Sequence, residues 1–200
     1  MNRFSVTILL LVASLKLTVA YDYYTFALEV PQVACDTHSC TSDNEGNIGP
    51  KTLNIHGLWP SASDGNHPFN CKKNIYNATL LQPAVKTAMD ANWVGLYNST
   101  FWFRWHEYGK HGTCFQETSY LRTQIASYLR THESSSLRNL QDTDQIKEMN
   151  DFFQKALDLK ASFNLESIVF SSSKFAAADL KSKIRTSLGA NDVLFSCSNS

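Results

Sequence analysis

None of the five cysteines, Cys35, Cys40, Cys71, Cys114 and Cys197, stands in a C-x-x-C pair. Zinc-ribbon and thioredoxin-like readings are therefore unsupported. Basic charge is not in excess either: 18 Lys and Arg face 18 Asp and Glu, which leaves no basic arm or tail for a polyanion. Repeats, heptads and low-complexity linkers are missing, so nothing points to an array or to more than one domain. Beyond the first twenty residues, no stretch is long and apolar enough to cross a bilayer.

What is present begins with MNRFSVTILLLVASLKLTVA, which carries Arg3, an apolar run from Phe4 to Val12, and small residues ending at Ala20. That is the layout of a secretory signal peptide. As a membrane span it is too short, and Lys16 interrupts it. Cleavage near Ala20 leaves 16 basic against 18 acidic residues, a formal charge of −2 on a single domain over 21–200. The six histidines add positive charge as pH falls through ~6.5, so any affinity for a polyanion should favour acid. All five cysteines lie in the mature part, where an exported chain can keep them as disulfides. The sequons at Asn77 and Asn98 suit the same export route as glycan acceptors.

Residues 23–30 and 52–59 read as strands from their aromatic and aliphatic content. Residues 80–93, 119–130, 144–159 and 176–188 read as helices, and the polar stretch 131–144 as a loop. Strands and helices do not alternate regularly, which favours an α+β fold.

Two segments carry chemistry. FRWHEYGKHGTC, 103–114, holds two histidines, a glutamate and a lysine among aromatic rings. Taken as helical from Phe101 to Gly112, it places His106, Lys110, Glu107 and His111 within an arc of about 140°, with Trp105 and Tyr108 outside it as expected core anchors. The bland alternative is an exposed amphipathic helix. A zinc reading fails on spacing: H-E-x-x-H puts its histidines four apart, whereas His106 and His111 are five apart. The second segment is NIHGLWPS, 54–61, with His56 in an apolar strand ended by Gly57, Trp59 and Pro60. A lone strand histidine is ordinarily a core residue. With a second histidine-bearing segment present, one neutral and one protonated imidazole can remove and deliver protons in one turnover.

IHGLWP (55–60) and HEYGKHGTC (106–114) resemble, complete and in order, the two signature blocks of the ribonuclease T2 family. Weaker similarity covers nearly all of the mature chain. The resemblance implies one α+β domain, a central antiparallel β-sheet with packed helices. It also implies metal-free, cofactor-free cleavage of single-stranded RNA through a 2′,3′-cyclic phosphate to a 3′-phosphate. DNA, lacking the 2′-hydroxyl, cannot react this way. By the same resemblance His111 is the general base, His56 the general acid, and Glu107 and Lys110 stabilise the charged transition state. His106 binds phosphate and Trp59 forms part of a base-stacking wall. The bridges it implies are Cys71–Cys114 and Cys35–Cys40.

Departures from the family pattern are Glu29-Val30-Pro31 where many relatives have Gln-Trp-Pro, Ser61 where an aspartate often contacts the base, and extra aromatics in FWFRWHEY. His38, His67 and His132 match no motif position and are expected on the surface. The odd Cys197 suggests a chain shortened at its C-terminus relative to the family, with that thiol free or bridged to another molecule. The mature protein is otherwise expected to be a monomer, off the membrane, secreted or lysosomal/vacuolar. The alternative is a secreted binding or cytotoxic effector on the same scaffold.

Overall fold

The computed structural model describes residues 21–41, 51–115, 136–171 and 176–189. The leader, the helix expected over 119–130, His132 and Cys197 lie outside them. In chain order the elements are strand β1 (Tyr23–Glu29), helix α1 (Pro31–Thr37), strand β2 (Asn54–Ser61), a 3-10 turn (Ala78–Leu80), α2 (Pro83–Asn92), α3 (Thr100–Lys110), a second 3-10 turn (Gly112–Cys114), α4 (Ser136–Phe163), α5 (Glu166–Val169) and α6 (Ala177–Leu188). The fold is α+β, with helices against a small antiparallel sheet in which β1 pairs with β2. Among the described residues no helix is long and apolar enough to cross a membrane.

The pairing is irregular at one place. Leu28 lies opposite Ile55 and Ala27 opposite Gly57, so His56 is the extra residue of a β-bulge. In an unbroken strand, residues three apart point to opposite faces, but a bulge adds a residue and re-aims the side chains beyond it. Ile55 and Leu58 therefore both enter the core, and His56 and Trp59 share the other, partly exposed side. β2 also runs past Pro60 to Ser61, where the sequence suggested a stop. Proline is tolerated because β2 pairs with β1 alone among the described residues, so no second neighbour needs its missing donor.

Helix α4 supplies the opposite wall. Met149, Phe152, Phe153 and Ala156, at i, i+3, i+4 and i+7, are fully buried against Ile55 and Leu58 of β2 and Val85 and Met89 of α2, as one apolar helix face should be. The helix begins at Ser136, inside the stretch expected to be loop. Leu, Arg and Gln there are good helix formers, and each residue added to an existing helix gains a hydrogen bond without a new nucleus. Buried Asn150 fastens α4 to the start of α2 by accepting from Gln82 N at 2.7 Å and donating to Leu80 O at 3.1 Å. Short α1, which the sequence reading left out, starts on Pro31 at its first turn, where the missing N–H costs nothing.

α3 is fixed at both ends. Ser99 caps it by accepting from Trp102 N. Arg104, 4% exposed, donates to Met89 O, Trp93 O and Asp90 Oδ1 at 2.8–2.9 Å, placing a cation at the C-terminal end of α2 where the helix dipole favours one. The far end of α3 is held by the Cys71–Cys114 bridge, by Asn70 N donating to Lys110 O and by Cys71 N donating to Thr113 Oγ1. A second bridge joins Cys35 to Cys40.

The two bridges close loops of very different length, 43 residues for Cys71–Cys114 and 5 for Cys35–Cys40. Loop entropy assigns them about 4 and about 2 kcal/mol respectively. Replacing Cys71 and Cys114 by Ser should therefore lower the unfolding free energy more than replacing Cys35 and Cys40, as read from denaturant midpoints by tryptophan fluorescence. Equal midpoints for the two double variants would contradict the clamp on α3.

Candidate active site

The bulge on β2 and the inner face of α3 meet at Trp59. Its ring centroid lies 5.6 Å from that of His56, edge-on at 85°, and 5.4 Å from that of His111, tilted by 33°. Trp59 Nε1 donates to Glu107 Oε2 at 2.9 Å. A third ring, Phe103, meets His56 edge-on at 5.5 Å. His56 is thus held between two aromatic edges.

Gly57 allows α3 to come this close. A Cβ there would stand 2.2 Å from both Glu107 Oε2 and Trp59 Nε1, so the glycine between the histidine and the tryptophan leaves room for the carboxylate. The wheel placed Trp105 and Tyr108 together as core anchors. Tyr108 is buried, but Trp105 is 42% exposed, while Arg104 and Glu107 are buried. One side of the polar arc is turned inward while Lys110 at its other side is exposed: Glu107, His111, Arg104 and Tyr108 occupy adjacent directions within about 100° on the wheel, and Trp105 falls past their edge.

Electrostatics separate the two central imidazoles. Burial, then the charges of Lys110, His106 and His56, push His111 down to about 4, and its buried Nδ1 has no hydrogen-bond partner among the described residues. His56 moves the other way: the Glu29 carboxylate at 3.4 Å raises it above the ordinary 6.5, with burial and Lys110 opposing and Glu107 assisting. Burial pushes Glu107 above the usual carboxylate range, against the hydrogen bond from Trp59. His106 is lowered by burial and by its cationic neighbours, and its ring stacks on Trp102 at 5.1 Å and 13°.

Of the residues singled out in the sequence, His56, Trp59, Glu107, Lys110, His111 and His106 come together through these contacts and charge couplings. The sequon asparagines are exposed, and Asn77 caps the first 3-10 turn through Thr79 N. Ser61 turns into the strand pair, sharing a hydrogen bond with Thr25 at 2.9 Å. His38 packs edge-on against Tyr97, and His67 accepts from Ala62 N. Three further residues complete the surroundings of His56: Glu29 and Phe103, which contact its ring, and Asn54, which holds Glu29. Glu29 was visible only as a departure from the family pattern, and Phe103 only as one aromatic among several.

The model of the Ribonuclease T2 family matches residues 21–200. The chain is 32% identical over 180 residues to extracellular ribonuclease LE of Solanum lycopersicum, covering 84% of this chain and 65% of that protein. It is 33% identical over 96 residues to ribonuclease DdI of Dictyostelium discoideum, covering 47% of this chain and 40% of that protein. The matched regions span less than two thirds of either relative's own length. In structure it is similar to RNase NT in complex with 5′-AMP, with a TM-score of 0.61 at 23% identity over 84% of this chain and 73% of that one. Ribonuclease MC1 from the seeds of bitter gourd gives 0.56 at 19% identity over 83% and 74%. These two likenesses carry the fold. The chain belongs to the ribonuclease T2 family.

Gly57→Ala tests the close approach directly. The new methyl has no room beside Glu107 and Trp59, so overpacking should cost about 1–3 kcal/mol and the Trp59 indole proton should exchange faster with solvent. Exchange of that proton at the wild-type rate would contradict the Trp59–Glu107 contact.

Proposed function

We propose that the protein is an endoribonuclease that cleaves single-stranded RNA by metal-free acid–base catalysis, with loose base specificity. The observation that carries this reading is the pair of imidazoles that both contact the Trp59 ring, one lowered to about 4 and the other raised. Above about 4 His111 is neutral and can accept a proton, while His56 still holds one through and beyond its ordinary 6.5. Environments that push two titrating groups apart in this way assign base and acid.

In the first stage His111 takes the proton of the ribose 2′-hydroxyl and O2′ attacks phosphorus. The P–O5′ bond breaks, and His56 gives its proton to the departing O5′. Lys110 and Glu107 face the phosphorus as it gains negative charge, and His106 holds a phosphate oxygen. Charges preset where charge develops need no reorganisation during reaction. In the second stage the roles reverse: His56 takes a proton from water, His111 protonates O2′ as the cyclic ester opens, and a 3′-phosphate remains. Trp59 contacts both imidazoles, holds Glu107 through its indole N–H, and offers its remaining surface to a base, which suits loose base choice because every base has a stacking face. The leader-like first twenty residues, the two bridges and the exposed Asn77 and Asn98 support a glycosylated protein on the secretory route, outside the cell or in a lysosome or vacuole.

Initial rates on polymeric RNA test the proposal. Activity should survive a chelator, be absent on DNA, and follow a bell on the acid side of neutrality whose limbs belong to His111 below and His56 above. His56→Ala and His111→Ala should each lose about 10²–10⁴-fold in turnover, and the double variant should lose less than the product of the two. Near wild-type rates in either single variant would contradict the mechanism, as would a chelator-sensitive activity restored by zinc. RNA bound without cleavage would return the chain to the effector reading.

A further inference from the structure

The last residue of β1, Glu29, lies directly opposite Asn54 of β2, and its carboxylate reaches two groups at once. Oε1 accepts from Asn54 Nδ2 at 2.7 Å, and Oε2 stands 3.4 Å from His56 Nδ1. Asn54 has little freedom: fully buried, it also donates to Val94 O at 2.8 Å and accepts from Val94 N at 2.9 Å. The carboxylate is therefore seated on a side chain that is fastened to the segment leading into α3. His56 is equally confined, since Trp59 and Phe103 both meet its ring edge-on.

Resting on the ribonuclease reading above, we infer that Glu29 is a positioning residue for the proton donor: held by Asn54, it anchors His56 through Nδ1, leaves Nε2 for the departing oxygen, and sets the alkaline limit of cleavage. The partner of one ring nitrogen fixes the tautomer and the orientation of the other. A carboxylate in that place also favours the protonated ring. Around His56 the other charged or titrating groups are Glu107, Lys110, His106 and His111, all on α3 or at its end. Glu107 assists the protonated form, whereas Lys110 opposes it. Glu29 is the one carboxylate among these groups that contributes a direct contact with His56 as well as its charge. A glutamine in this place would fill the same space but supply no charge. This chain should therefore keep its acid protonated to higher pH than the same site with glutamine.

Two measurements on wild type and Glu29→Gln test this. Profiles of kcat and kcat/KM for RNA cleavage between pH 4 and 8 should show the alkaline limb of the variant moved toward acid by about one pH unit, which is about tenfold in the protonation equilibrium. The acid limb, which belongs to His111, should stay where it is. In parallel, the carbon-bound ring protons of His56 should titrate lower in the variant, followed by NMR without substrate. Superimposed profiles together with an unchanged His56 titration would overturn the inference. If the wild type cleaves no RNA, the proposed function fails, and the NMR titration still decides: a lowered His56 sustains the pairing, and an unmoved one overturns it. Glu29→Ala, which also removes the contact with Asn54, should lower kcat several-fold on the acid plateau with little change in KM. Full wild-type kcat there would overturn the positioning role.

Discussion

One extra residue in a strand organises this molecule. Without the bulge at His56, the strand period of two would set Ile55 and Leu58 on opposite faces, and likewise His56 and Trp59. With it, both aliphatic side chains reach the aromatic core presented by α4, and both rings face α3. Core and site thus both draw on the same eight residues of β2. A slip in register would cost apolar burial and dismantle the site together, so hydrophobic packing enforces the arrangement of the polar groups.

Burial then does two kinds of work. It brings Glu107 and His111 out of water on the inner side of α3, raising the first and lowering the second, because desolvation disfavours whichever form is charged. His56 escapes the same fate because a carboxylate compensates its desolvation. Three groups within one shell of Trp59 therefore differ from their free behaviour, each for an identifiable reason. Removing water also strengthens every remaining charge interaction. The cost of orienting the groups is met partly by structure distant from the chemistry, the Arg104 anchor on α2 and the Cys71–Cys114 bridge, and partly by the absent side chain at Gly57 inside the site.

Much of this was legible in the residues themselves. The blocks IHGLWP and HEYGKHGTC hold the six residues that the structure gathers, and aromatic and aliphatic content located both strands to within two residues at each end. The bulge was not legible, because it exists only relative to a partner strand distant in the chain, and no local pattern reports register. For the same reason Glu29 stood out as an odd residue without showing what it touched. Trp105 was misplaced because a helical wheel shows which residues share a direction but not which direction faces the protein. The start of α4 is hard to read because its only early apolar pair, Leu137 and Leu140, is cut off from the later apolar face by the polar run 141–145.

The central claim is a division of labour, with His56 giving a proton to the leaving oxygen and His111 taking one from the nucleophile. A nucleoside 3′-(4-nitrophenyl phosphate) separates the two roles, because its leaving group departs without being protonated. Rates of His56→Ala and His111→Ala on this ester, each compared with the same variant's rate on RNA, measure the division directly. The account predicts that His56→Ala recovers most of its activity on the activated ester, whereas His111→Ala stays as impaired as on RNA. Recovery by His111→Ala in place of His56→Ala would contradict it.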